Sequence, residues 1–412
     1  MTMGLLGVVT MLVLVQDLHA WVPQPLGSET RMRRTNVRPR VRRSIHTSSS
    51  LIVQNAQPSG GGGENFGELL PLRKINSVLA TLSPRRTETP SSAGQWSCDE
   101  STGAWVLEPL SFPTTVVHFL GGAGFGTYPR VAYAELLERL SLACGGGVAV
   151  VCTPYDVALD HQTLASNAHD SFERVRSERT ESGIWPDDLR TVRLGHSLGG
   201  KLHVLNLEDK YSEKDSVGLM AFNNFALGDS VSAALKQVEE FTGNDTMGLG
   251  VPSGMGEQLA GFASIFLQSS GLDFTPSRDD TRSLLSSSKR GSQITAFQFP
   301  EDSLDSSADL QECAGAKVLR VVNAEEGVPP GTHLAPVYIS VAAEEFAERA
   351  QEMGAPNLEE LGFDTTAGFS FGDEASLDLL VRELTGWLMG TSPSQVGAYG
   401  SRQLKPPLPP PA

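Results

Sequence analysis

Thr191-Val192-Arg193-Leu194-Gly195-His196-Ser197-Leu198-Gly199-Gly200 is the stretch that decides the fold. A short apolar run reads as a strand, Leu198 to Leu207 reads as a helix, and Gly195-His196-Ser197-Leu198-Gly199 joins them. Glycines at the first and last places of such a junction let a strand turn sharply into a helix, leaving the central Ser hydroxyl strained and exposed. The pattern alone is weak, because it occurs twice: Gly368-Phe369-Ser370-Phe371-Gly372 also matches. That second copy follows Asp364-Thr365-Thr366, which reads as a loop, and no His comes after it, so Ser370 is the coincidence.

A Ser hydroxyl needs a general base within hydrogen-bond reach and an acid that orients the base. In a strand-elbow-helix fold these follow in the order Ser, acid, His. Only His203 and His333 come after Ser197. His203 lies six residues along the same helix, pointing away from the elbow, which leaves His333 in Gly331-Thr332-His333-Leu334-Ala335-Pro336 as the base. Asp302, just past the strand-like run Ile294 to Phe299, is the favoured acid, with Glu301 and Asp305 close enough to take its place. Acyl transfer also needs N–H donors for an oxyanion. Leu198 supplies one, and Gly121 or Gly122, after the strand-like run Val116 to Leu120, supplies the second. The same glycines do not read as a dinucleotide site, since their spacing is wrong and no acidic residue ends the next strand.

Around the elbow, strand-like and helical runs alternate. Val148 to Cys152, Val217 to Phe225, Ile294 to Phe299 and Val318 to Val322 read as strands. Pro129 to Cys144, Gln162 to Glu178, Ser306 to Cys313 and Tyr338 to Gln351 read as helices. This predicts an α/β-hydrolase fold, a mostly parallel sheet with helices on both faces. Residues 226–292 separate two strands by 67 positions and read as a lid insertion, in which Leu259 to Leu267 is apolar on most sides and could equally pack as an ordinary helix. His118 and His161 read as residues that orient backbone or fill the core, and Asn223 and Asn224 either as buried amides or as groups facing lid or substrate. Trp185 and Phe222 read as apolar packing.

The 412 residues are 40% hydrophobic and include 42 Gly, which is ordinary globular composition and excludes collagenous, coiled-coil and wholly disordered chains. The net charge of -16 hides an asymmetry. Residues 1–63 hold seven Arg against Asp17 and Glu29, and the remaining 349 residues carry 25 basic and 46 acidic groups. A body of that sign repels nucleic acid and anionic surfaces. Cys98, Cys144, Cys152 and Cys313 lack disulfide-framework or zinc spacing and read as reduced and mostly buried; no metal or organic cofactor is expected.

Gly4 to Val15 is an uncharged apolar run of 12 residues, too short to span about 30 Å of hydrocarbon but suited to a signal peptide. Residues 30–63 are free of Asp and Glu and rich in Arg, the composition of a transit peptide. The organisation expected is a signal peptide over 1–20, a transit-like segment and Gly linker over 21–63, an N-terminal extension over 64–104, the hydrolase domain over 105–390 with its insertion at 226–292, and a Pro-rich tail over 391–412. The tandem addresses around His19-Ala20-Trp21-Val22-Pro23 resemble the bipartite presequence of algae whose plastids are wrapped in extra membranes, which implies a plastid protein; a secreted protein with a basic propeptide is the alternative.

A family resemblance is carried by His118-Phe119-Leu120-Gly121-Gly122, Thr153-Pro154-Tyr155 with Asp160-His161, the elbow, Ala221-Phe222-Asn223-Asn224-Phe225, Phe274-Thr275-Pro276-Ser277 and Gly331-Thr332-His333-Leu334. Together these resemble the domain-of-unknown-function family 1350, α/β-hydrolase-like proteins of plants, algae and cyanobacteria, over roughly residues 105–390. The chain departs from that pattern at Ala335, where the family usually shows Thr, and at Asn323 to Pro330, a longer segment. The resemblance implies the hydrolase fold and a plastid setting, and supplies no substrate. A weaker likeness is to class 3 lipases, in which Glu325 would be the acid. The expected activity is a serine hydrolase acting on an ester or thioester, such as an acyl lipid at a plastid membrane surface. The other class of reading is a hydrolase scaffold that works as an interaction or assembly factor without catalysis.

Overall fold

A computed structural model describes residues 79, 82, 88–230, 273–321, 331–345, 348 and 369–391. The strands are β1 (Glu88–Ser91), β2 (Gly94–Cys98), β3 (Trp105–Pro109), β4 (Thr115–Leu120), β5 (Val148–Cys152), β6 (Arg190–His196), β7 (Ser216–Met220), β8 (Ile294–Gln298), β9 (Lys317–Arg320), β10 (Ile339–Val341) and β11 (Phe369–Phe371). The α-helices are α1 (Pro129–Ala132), α2 (Ala134–Ala143), α3 (His161–Glu181), α4 (Leu198–Leu205), α5 (Arg278–Ser287), α6 (Ser307–Ala314) and α7 (Glu374–Met389).

Nine strands form one sheet in the order β1-β2-β3-β5-β4-β6-β7-β8-β9. β1, β2 and β3 join antiparallel, and β3 meets β5 antiparallel; every pairing from β5 to β9 is parallel. The order reverses where β5 and β4 exchange places, and β6 lies beside β4, so the carboxyl ends of β4 and β6 open side by side. With the elbow at the end of β6, this is the α/β-hydrolase fold.

Strand residues alternate between the two faces, and both faces are covered by helices, so nearly every position of the central strands β4 to β8 is buried and most are apolar. Val117, Phe119 and Val150 pack with Leu136 and Leu140 of α2 and Leu377 and Leu384 of α7. Val116, Ala149 and Val151 pack on the opposite face with Phe172 and Val175 of α3. Farther along, Val217, Leu219, Ile294 and Ala296 meet Leu285 of α5 and Leu310 of α6. The helix starts follow from local capping. Asp160 accepts the Thr163 N–H at the head of α3, and Ser277 and Asp280 form a reciprocal capping box at α5.

Several elements differ from the sequence reading. The segment ahead of residue 105 supplies β1 and β2 to the main sheet. Pro129 to Cys144 is two helices, because Tyr133 leaves helical geometry at φ -124 and ψ 7. β7 stops at Met220 rather than running to Phe225, since Ala221 turns to φ 48. Within Tyr338 to Gln351, expected to be helical, Ile339–Val341 is a strand paired with Phe369–Phe371, which places Ser370 in β11, exposed and opposite Ser340. The four cysteines are free; only Cys152 is buried, whereas Cys98, Cys144 and Cys313 are half-buried. Leu259 to Leu267 and Glu325 lie outside the described residues. No helix among the described residues is long and apolar enough to cross a membrane.

Beneath the sheet's active end, His118, His203 and Arg193 are buried together. Arg193 reaches Asp215 at 3.0 Å and Glu173 at 3.1 Å and lies over the Phe172 and Tyr211 rings. His203 bonds Tyr211 Oη and the Leu194 carbonyl, and His118 bonds Thr153. Burial holds His118 well below the usual imidazole range and pushes His203 and the site residue His196 down to about 3. These rings are neutral in the fold, whereas an unfolded chain protonates its imidazoles below about pH 6.5. Their contribution to stability is therefore complete above that pH and declines as pH falls toward about 3. Thermal unfolding should show a lower Tm at pH 5 than at pH 7, with each such ring costing on the order of 2 kcal/mol at the lower pH.

Candidate active site

Ser197 ends β6 and caps α4 with φ 54 and ψ -119, a left-handed backbone that a residue with a side chain rarely adopts. The kink depends on glycines that tolerate close backbone approach. A Cβ on Gly199 would sit 2.2 Å from the Leu120 carbonyl oxygen, and one on Gly195 would sit 2.6 Å from the Gly200 nitrogen. The Ser197 N–H donates to the Met220 carbonyl at 2.9 Å, which ties the elbow to β7.

His333 Nε2 stands 2.9 Å from Ser197 Oγ, and its Nδ1 lies 2.9 and 3.0 Å from the two carboxylate oxygens of Asp302. The Asp302 side chain is fully buried and also accepts the Leu304 N–H at 2.8 Å. A bridge between Glu301 and Thr332 joins the two loops that carry the acid and the base. Asp305 is turned elsewhere, to Gln298 and Ser307, and Glu301 is exposed. His203 bonds to Tyr211, away from Ser197.

Of the proposed oxyanion donors, Leu198 is the first residue of α4, where the N–H has no partner within the helix. Leu198 and Gly122 both line the cleft in front of Ser197. Gly122 does not serve as expected, because its N–H is already donated to Tyr133 Oη at 2.8 Å, and Gly121 is not among the residues that line the cleft.

Tyr133 and His196 are site residues that sequence reasoning missed. Tyr133 Oη accepts from Gly122, so its own proton goes to His196 Nδ1 at 2.8 Å, and His196 Nε2–H then donates to the His333 carbonyl at 2.8 Å. The neutral state of His196 fits that tautomer. The relay pins the Gly121-Gly122 loop, the elbow and the base loop to one another. Nothing in the local sequence marked Tyr133, since Pro129 to Cys144 reads as one helix and the break at Tyr133 is visible only in the structure.

The cleft opens to solvent, and the space enclosed within it is about 70 Å³. Phe125, Val157, Phe225, Phe274, Leu304 and Leu334 form its apolar walls. Asn223 lines it too, whereas Asn224 is a buried amide bonded to Arg278 and Asp309. His118, Trp185 and Phe222 are packing residues; the Trp185 indole N–H donates to Glu108.

Changing Tyr133 to Phe removes one hydroxyl and leaves both the Gly122 N–H and His196 Nδ1 buried without a partner. Urea unfolding of Tyr133→Phe should show a loss of about 2–6 kcal/mol, since each of the two orphaned groups costs about 1–3 kcal/mol.

Comparison with solved structures finds similarity to carboxyl esterase 2 of Tuber melanosporum, at 15% identity over 68% of this chain and 91% of that one, with a TM-score of 0.36. An esterase of Rhizomucor miehei is similar at 15% identity over 78% and 90% of the two chains, with a TM-score of 0.41. The thioesterase domain from the curacin biosynthetic pathway is similar at 12% identity over 65% and 97%, with a TM-score of 0.33. No match to a curated protein was found. The family model of the protein of unknown function DUF1350 matches residues 95–350, the stretch that carries Ser197, Asp302 and His333, and the chain belongs to that family.

Proposed function

We propose that this protein is a serine hydrolase of carboxylic esters or thioesters. One observation carries the reading: a strained Ser197 hydroxyl lies 2.9 Å from an imidazole whose other nitrogen is held by a buried carboxylate. His333 Nε2 takes the Ser197 proton as Oγ attacks the substrate carbonyl. Asp302 holds the His333 Nδ1–H, fixes the ring orientation and stabilises the imidazolium that forms. Negative charge on the carbonyl oxygen is met by the Leu198 N–H and the N-terminus of α4. His333 then gives the proton to the departing alcohol or thiol, leaving an acyl group on Ser197. Water attacks that acyl group as His333 takes one of its protons, and His333 returns that proton to Ser197 Oγ as the Oγ–acyl bond breaks and the acid is released.

A fluorophosphonate probe should label the full chain and the Ser370→Ala variant, and labelling should vanish in Ser197→Ala. Asp302→Asn should keep the fold and lower the rate of ester turnover by a factor on the order of 10⁴, the effect of losing the correct His tautomer. Folded protein that takes no label between pH 6 and 9 would instead be a scaffold with an unused triad.

The composition of residues 1–63 supports delivery to a plastid. A fluorescent protein carrying those residues should accumulate inside the plastid of an alga with extra plastid membranes; export to the medium would favour secretion.

A further inference from the structure

Lys201 and His161 are among the polar side chains of the cleft that the hydrolytic reaction does not use. Lys201 lies four residues after Ser197, so the two project from the same side of α4 about one turn apart. It is 1% exposed, and its ammonium donates to the Pro276 carbonyl at 3.0 Å. His161, the first residue of α3, is also 1% exposed. Both of its ring nitrogens are buried without a hydrogen-bond partner. Phe274 is a neighbour of both: the His161 ring stacks on it at 4.2 Å, and the Lys201 ammonium stands 5.6 Å from its centre. All three residues line the same cleft as Ser197.

A buried ammonium held by one neutral carbonyl is under-solvated, and a buried imidazole with no partner loses the hydrogen bonds it had in water. Two carboxylates lie near enough to act on Lys201 through space, but neither is hydrogen-bonded to its ammonium, and one oxygen of each is engaged elsewhere. Asp273 accepts the N–H groups of Leu227 and Phe274, and Asp280 accepts from Ser277. Burial pushes Lys201 down to about 8, which leaves it mostly charged at neutral pH, and burial together with that charge pushes His161 down to about 3. The cleft therefore presents a cation and a neutral imidazole donor side by side, beyond the nucleophile.

We infer that Lys201 and His161 form an anion subsite, so that the ester or thioester cleaved at Ser197 carries a carboxylate or phosphate that this pair binds. This rests on the hydrolase reading for the word ester, while the subsite itself does not need catalysis. A carboxylate or phosphate presents more than one anionic oxygen, one to accept from the Lys201 ammonium and another from the His161 N–H, and such charge-assisted pairing suits a lysine point charge. The apolar walls then hold the carbon chain between that anion and the reacting carbonyl.

Two measurements on the full chain test this. In Ser197→Ala protein, isothermal titration with glutarate and, separately, with inorganic phosphate should detect millimolar or tighter binding. Adding Lys201→Met should weaken it at least about tenfold, and adding His161→Phe should weaken it by a smaller factor. The anion that binds more tightly identifies the substrate group as carboxylate or phosphate. Equal affinity with and without Lys201, for folded variants of matching Tm, overturns the subsite. With catalytic protein, kcat/KM for mono-4-nitrophenyl glutarate divided by that for 4-nitrophenyl butyrate should fall at least about tenfold in Lys201→Met, mostly through KM, and recover in part in Lys201→Arg. An unchanged ratio also overturns the subsite. If neither ester is turned over, the hydrolase reading fails and the titration still decides whether the anion site exists.

Discussion

The left-handed backbone of Ser197 is the constraint on which the rest depends. It turns β6 into α4 within one residue and lifts the hydroxyl above the carboxyl edge of the sheet. The turn closes only because Gly195 and Gly199 let backbone meet backbone. Gly199 presses against the end of β4, and that contact sets the Gly121-Gly122 loop beside the nucleophile. Ala221, also left-handed at the end of β7, donates its N–H to Phe297 of β8, so the neighbouring strand ends are locked to the same edge.

Loops from distant parts of the chain converge on that edge, and hydrogen bonds hold them in register. Asp302 follows β8 and His333 lies 31 residues later, yet the Glu301–Thr332 bridge brings their backbones side by side. Tyr133, from the break between α1 and α2, reaches the elbow and through His196 the carbonyl of the base residue itself. Such a chain works only with neutral rings, which low-dielectric burial enforces. Under the sheet a different rule applies, since the buried Arg193 keeps its charge by pairing with Asp215 and Glu173.

Above the elbow, α4 serves two purposes. Its first residue lines the cleft beside Ser197, and one turn later Lys201 enters the same cleft. Helical spacing couples these positions, and the start of α3 and the Phe274–Pro276 segment complete the surroundings. The walls are apolar and the polar groups few, an arrangement in which each polar group discriminates strongly among ligands.

Glycine spacing at the elbow, the order of Ser197, Asp302 and His333, and the alternation of apolar strands with helices were all legible in the sequence, because each is a local backbone preference or a matter of chain order. Asp302 was favoured over Asp305 only by its place just past a strand; the two carboxylates are three residues apart, and the path of the loop is what turns one toward His333 and the other toward Gln298. Ile339–Val341 looked helical and is a strand, because its partner at Phe369–Phe371 lies far along the chain. Tyr133, His161 and Lys201 carried no local mark of their positions in the site. Their surroundings come from segments tens of residues away in sequence, and hydrogen bonds of that reach exist only once the sheet has packed and brought the segments together.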